Sequence, residues 1–375
     1  MLLSRIRVSK KASNESTEPI STVVAVSILV IISSCSGELI QPRLEIPSSY
    51  LSANYDTNVA FEKIVMNELE SLTIALNTAE ENAHSTEVEL IDYPSTLASV
   101  TLPSYQALVA VWIDELTKAA NDEDGFENPG MSSPLDEEEG GILGTRLLDE
   151  YGLELEQCIQ KGSFGAALYN HATTVVKGDL SDEATIDKLV EIHGLDPSFD
   201  LTATSAAATY SRRRSNQTTE TGTFYDIKNA LIRAKAAIKA GETFHKERDL
   251  ALEDFLFAWE KSNFATVIHY CNATKIQLQQ AGDNAEALGN AMHAYAEAVG
   301  FAQGFKGISQ KLISDTEIDR VLELLLAPVG QAPQSFKFLN DATLLSNLTQ
   351  IVVELQAIYG FTDEEIISFY VNDPS

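Results

Sequence analysis

Apolar residues recur at three- and four-residue spacings along nearly the whole body of this chain, the mark of amphipathic helices. Val59, Ile64, Val65, Leu69, Leu72 and Leu76 follow that rule after Asp56 and Thr57, either of which can cap a helix. Leu108, Val109, Trp112 and Leu116 share one face of a second helix, preceded by Ser104. A third helical stretch is predicted over 145–177, bent at Gly152 or across 162–165, and Ser181 opens a short helix that ends before Pro197. Residues 225–240 form another, stopped by Gly241. From 243 to 280 the chain runs without Gly or Pro, which predicts one long helix. Asp283 then starts a helix reaching about Gly304, Asp315 and Asp341 start two more, and Thr362 with Glu365 makes a capping box for the last. There is no alternating strand pattern and no Asn-Gly hairpin signal, so the predicted fold is all-α, a helical bundle.

Two segments interrupt this pattern. Residues 121–141 form a long acidic loop in which Asp122, Asp124 and Gly125 echo the centre of a calcium-binding loop. The first and last ligand positions of such a loop would be Ala120 and Met131, which offer no ligand side chain, so a solvated acidic loop is expected. Residues 201–223 hold ten Ser or Thr in 23 positions and the run Arg212-Arg213-Arg214, and are expected to be a mobile surface loop. That loop would divide the body into a first helical half, 56–200, and a second, 224–375.

The amino terminus breaks the pattern differently. Arg5, Arg7, Lys10 and Lys11 precede the apolar run 23–32, which is short for a bilayer span and suited to a signal-peptide core. Ile32-Ser33-Ser34-Cys35 follows and resembles a bacterial lipoprotein signal. Residues 1–34 would then be removed and Cys35 lipidated, with 35–55 as a tether. This implies export and a lipid anchor in the cell envelope, at the outer membrane, with the membrane as a partner. The chain of 375 residues carries a formal net charge of −29, from 55 Asp and Glu against 26 Lys and Arg. So acidic a surface repels phosphate backbones and excludes a nucleic-acid partner. Three Cys do not make a disulfide scaffold, and the sequence leaves open whether Cys158 and Cys271 pair.

The chemistry-bearing candidates lie in the second half. His293 and Glu297 stand four residues apart on one helix face, a spacing that suits a metal pair or a carboxylate-oriented base. The plainer alternative is a buried His bonded to Glu297, with Gly289, Gly300 and Gly304 packing helices together. His269 falls near the stripe of Phe255, Trp259 and Thr266, and would join His293 and Glu297 in a transition-metal set if the two helices pack antiparallel. The plainer reading of His269 is an aromatic-walled core histidine. GxSxG, HExxH, Walker and CxxCH motifs are all missing.

Four blocks carry a family resemblance. They run from Tyr151 through Glu154, Lys161 and Gly165 to Ala166, from Ile227 to Ile238, from Trp259 through His269 to Asn272, and from His293 to Phe301. With the export signal, they resemble the bacterial lipoprotein family known as domain of unknown function 4856 over most of residues 45–310. In that family a first-half segment of the type His-x-x-Trp-Asp-Glu echoes the segment around His293, which implies two related bundle halves. Here its place is taken by His193-Gly-Leu-Asp196-Pro197. More distantly, the helical lipoprotein pattern is similar to imelysin-type proteins, whose signature is Gly-x-His-x-x-Glu. This chain has one residue more between His293 and Glu297, and Ala291 in place of the Gly. The resemblance implies iron or haem as ligand. The expectation is thus a non-enzymatic binding or accessory lipoprotein, with His269, His293 and Glu297 as its site and an envelope protein as a further partner. The alternatives are a metal-dependent hydrolase with Glu297 as base, and a structural interaction module with an acidic helical surface.

Overall fold

The computed structural model describes residues 42–122 and 139–374. Cys35, the signal before it, and Asp124, Gly125 and Met131 of the acidic loop lie outside the described residues. Asp122 is described, and its carboxylate accepts the backbone N–H of Glu139 at 3.1 Å.

The fold is all-α. In chain order the helices are α1 (Tyr55–Asn58), α2 (Ala60–Asn82), α3 (Ser95–Val100), α4 (Pro103–Asn121), α5 (Leu155–Ser163), α6 (Asn170–Lys177), α7 (Ala184–His193), α8 (Ala206–Arg213), α9 (Thr223–Ala240), α10 (His245–Ala281), α11 (Ala285–Gln303), α12 (Asp315–Leu324), α13 (Lys337–Asn340), α14 (Leu345–Tyr359) and α15 (Asp363–Phe369). None of them is long and apolar enough to cross a membrane. The helix starts follow the capping chemistry. Asn284 caps α11, Ser314 with Glu317 and Thr362 with Glu365 form capping boxes on α12 and α15, and Asp341 caps a 3-10 turn ahead of α14.

Helix α10 is the axis of the bundle. Its 37 residues span about 55 Å at 1.5 Å per residue. It packs against α9 on one side and α11 on another, with α8, α14 and α15 also against it. Phe255, Trp259, Phe264 and Ile268 are therefore buried around its circumference. Helix α11 in turn packs on α5, and α5 on α2 and α4. The stripe Val65, Leu69, Leu72 and Leu76 of α2 is buried as its spacing predicts. The described residues from Leu44 onward pack as one unit.

Three expectations are corrected. First, strands occur: β1 (Gly140–Leu143) pairs antiparallel with β2 (Arg146–Asp149), and β3 (Ser215–Asn216) with β4 (Thr221–Gly222). The first hairpin showed no alternation because β2 is covered on both faces, by α4 and α11, so that Leu147 and Leu148 are both buried. Second, the helical stretch predicted over 145–177 begins only at Leu155 and includes a π-helical turn, Phe164–Tyr169, between α5 and α6. Third, residues 201–223 are not a mobile surface loop. They form a 3-10 turn, α8 and the second hairpin. Three of their hydroxyls are bonded inside the protein: Ser211 Oγ lies 3.1 Å from His193 Nε2, Ser215 Oγ donates to Ser211 O at 2.8 Å, and Thr223 Oγ1 donates to the same carbonyl at 3.1 Å. The arginine run faces the carboxyl terminus. Arg214 is buried and donates to Phe369 O and Asn372 Oδ1, while Arg212 pairs with Asp373 at 2.5 Å. A Ser/Thr-rich composition describes a loop only when water supplies the hydrogen-bond partners; here the protein supplies them.

Candidate functional site: a buried carboxylate cluster

The site begins where α11 crosses α5. A Cβ on Gly304 would stand 2.2 Å from the carbonyl oxygen of Gly162, and one on Gly300 would stand 3.0 Å from both Gln157 O and Lys161 Cβ. The missing side chains let the two helices approach backbone to backbone. His293 and Glu297 of α11 are thereby pressed against the charged start of α5.

Neither takes the other as partner. His293 Nδ1 lies 2.9 and 3.0 Å from the two carboxylate oxygens of Glu154, the residue that opens α5. Glu297 is buried, lies 3.3 Å from Lys161 Nζ, and accepts the Tyr210 hydroxyl at 3.3 Å. The plain expectation of a His293–Glu297 bond is thus replaced by a His293–Glu154 bond, across 139 residues of sequence.

Around Glu154 stand two more carboxylates. Glu80, from the last turns of α2, Glu154 and Glu156 bring oxygens within 4.8 Å of one another. Glu154 is 0% exposed and Glu156 is 2% exposed. Glu156 Oε2 accepts the amide of Gln157, whereas Glu156 Oε1 and Gln157 Oε1, both buried, have no hydrogen-bond partner. Arg146, the first residue of β2, lies over the group, with Nη1 3.7 Å from Glu154 and 3.9 Å from Glu80.

The charges do not balance. Glu80, Glu154, Glu156 and Glu297 contribute four negative charges and Arg146 and Lys161 two positive, which leaves a formal −2 with His293 neutral. Burial makes that charge costly. It raises the Glu80 carboxyl to about 8, with repulsion from Glu154 adding to it. It raises Glu156 to about 7 and Glu154 well above the usual carboxylate range. Burial also lowers His293. The cluster therefore needs protons or a bound cation to be stable in the folded protein.

The other expected site residues lie elsewhere. His269 Nδ1 is 2.8 Å from Phe369 O, and its ring stands edge-on to Tyr270. Burial, then the nearby Arg214 charge, pushes it down to about 4. It serves the attachment of α15. Among the described residues, the group of three or more potential metal ligands that converges is Glu80, Glu154 and Glu156 rather than His269, His293 and Glu297. Cys158 and Cys271 are both buried and free. Sequence reasoning missed Glu80, Arg146, Glu154 and Glu156 as site residues. The one signal was the Glu154-x-Glu156 pair with Lys161 in the first of the four blocks. Nothing in the local sequence marked Glu80.

No family model matches the chain, and neither a curated protein nor a solved structure matches it.

Proposed function

We propose that this protein is an envelope-anchored helical lipoprotein that binds a hard divalent cation, without catalysing a reaction, at Glu80, Glu154 and Glu156. The observation that carries the reading is the buried convergence of these three carboxylates with Glu156 Oε1 left unpartnered. A divalent cation would offset negative charge in the cluster and give that oxygen a ligand bond. Carboxylate oxygens suit Mn²⁺, Ca²⁺ and Mg²⁺. They supply no axial imidazole, so the donor set fits a hard ion held by carboxylate oxygens better than haem. His293 would orient Glu154 through its Nδ1 bond, as histidines and carboxylates commonly do around metals. The hydrolase alternative is less well supported, because Glu297 is held by Lys161 and Tyr210 and is not free to act as a base. The lipoprotein part of the reading rests on the signal before Cys35 and on the family resemblance of the four blocks.

The test is titration of the full-length chain, purified in detergent without added metal, with Mn²⁺ followed by the loss of the free-ion electron paramagnetic resonance signal. One Mn²⁺ per chain is expected, with binding lost in Glu156→Gln while the helical circular dichroism is kept. A parent protein that leaves the Mn²⁺ signal unchanged, and in which elemental analysis finds no divalent metal, would overturn the reading and favour the interaction module.

A further inference from the structure

Arg146 sets a fixed positive charge against the same carboxylates that would take a cation. Its geometry is not that of a structural lock. A guanidinium locks a carboxylate through a two-pronged fork with bonds near 2.8 Å. Here Nη1 stands 3.7 and 3.9 Å from Glu154 and Glu80, Nη2 donates to Asn290 Oδ1 at 3.3 Å, and Nε is buried with no partner. Arg146 balances charge without satisfying its own donors.

Its mounting differs from that of the acids. Glu80, Glu154 and Glu156 belong to α2 and the start of α5, inside the bundle. Arg146 belongs to a hairpin of two four-residue strands, directly after the turn Gly144-Thr145. The tip of that hairpin rests on the first turns of α11. A Cβ on Gly144 would stand 2.7 Å from Glu286 Cα, and one on Gly289 would stand 2.2 Å from Leu143 O and 3.4 Å from Arg146 Cγ. The polar fastening at the tip is Thr145 Oγ1 donating to Glu286 at 3.2 Å, on the exposed surface. The Arg146 side chain is 29% exposed, against 12% for Glu80 and 0% for Glu154. Of these three side chains it has the most contact with water.

We propose that Arg146 is a displaceable counter-ion: it stands in for a divalent cation at Glu80 and Glu154, and leaves when the cation binds. This rests on the metal-binding reading of the same cluster. Two cationic groups cannot share one buried pair of carboxylates at full strength, so the affinity of the site is set by competition between Arg146 and the ion. The hairpin acts as the arm that carries the competitor, and the glycine contacts on α11 set how deeply it reaches.

The experiment is the same Mn²⁺ titration of the full-length chain with three further variants. Arg146→Gln is expected to bind Mn²⁺ roughly tenfold or more tightly than the parent, the minimum for removing a unit charge about 4 Å away. Arg146→Lys, which keeps the charge, is expected to stay near the parent. Gly289→Ala pushes the hairpin outward without altering any charge and is expected to tighten binding in the same direction; it decides the matter if Arg146→Gln loses its helical circular dichroism. Binding in Arg146→Gln but not in the parent overturns the displacement, because an ion that does not enter the parent displaces nothing there. Equal or weaker binding in Arg146→Gln, with the parent binding Mn²⁺ and Glu156→Gln not, overturns the displacement and leaves the metal site standing. Absence of Mn²⁺ binding in the parent and in every variant removes the metal site and the displacement together.

Discussion

His193 shows how a single side chain is placed by its surroundings rather than by its chemistry. Its ring stands edge-on to Trp259 with centroids 4.5 Å apart, and to Phe255 at 6.2 Å, and it is fully buried. Burial alone pushes it down to about 3. The folded protein therefore keeps it neutral, while the unfolded chain takes up a proton below about pH 6.5. Stability is present in full above that pH and falls as pH drops towards about 3. The loss is about 1.4 kcal/mol per pH unit, on the order of 3 kcal/mol by pH 4.5. Urea unfolding of the parent and of His193→Phe at pH 7 and pH 4.5 should show the gap between them closing at the lower pH. An unchanged gap would mean that His193 is protonated in the folded state. Asp187 has the opposite design. It is 1% exposed, and burial by itself would raise it. Bonds from Lys235 at 2.7 Å, Ser52 at 2.6 Å, Asn58 at 2.7 Å and Tyr50 outweigh burial and hold it below the usual carboxylate range. It fastens the segment just ahead of the bundle to α7 and α9. Neither environment is visible in local sequence, because the partners lie up to 137 residues away.

At the scale of elements, the crossing of α11 over α5 is the joint on which the site depends. Gly304→Ala would drive a Cβ to 2.2 Å from the Gly162 carbonyl, and backbone cannot yield as a flexible side chain can. A loss of about 1–3 kcal/mol is expected, the usual cost of overpacking. Gly178→Ala, whose Cβ would meet nothing closer than 3.3 Å, should stay within about 0.5 kcal/mol of the parent. Equal midpoints for the two variants in urea would show that the helices can separate freely at Gly304. Long helices and their caps were legible in the chain, because a 3.6-residue period and a capping box are local patterns: α10, the stop of α9 at Gly241 and the box Thr362–Glu365 all appear where the spacing put them. The hairpins were not legible. Four residues are too few to show a period, and two covered faces leave none to show. Within the site, the stripe bearing His293 and Glu297 was legible, but their partners were not. An i, i+4 pair on one helix reads as a mutual contact, and here the neighbouring helix offers each residue a better one.

For the whole molecule, the formal charge of −29 and the proposed anchor act together. The proposed membrane attachment rests on the signal that precedes Cys35. Partition of the parent into the detergent phase, lost in Cys35→Ser, is the expected result; equal partition of the two would reject the lipid anchor. The amino-acid pattern was sufficient for the helical class and for most helix limits, since each follows from periodicity or capping, and these are properties of neighbours. It was not sufficient for the site. Glu80, Arg146, Glu154, Glu156 and His293 come from an early helix, a hairpin, the mouth of a second helix and a late one. Only the packing of those elements gathers three acids, an arginine and a histidine into one largely buried cluster, where burial raises the carboxyls above their usual range.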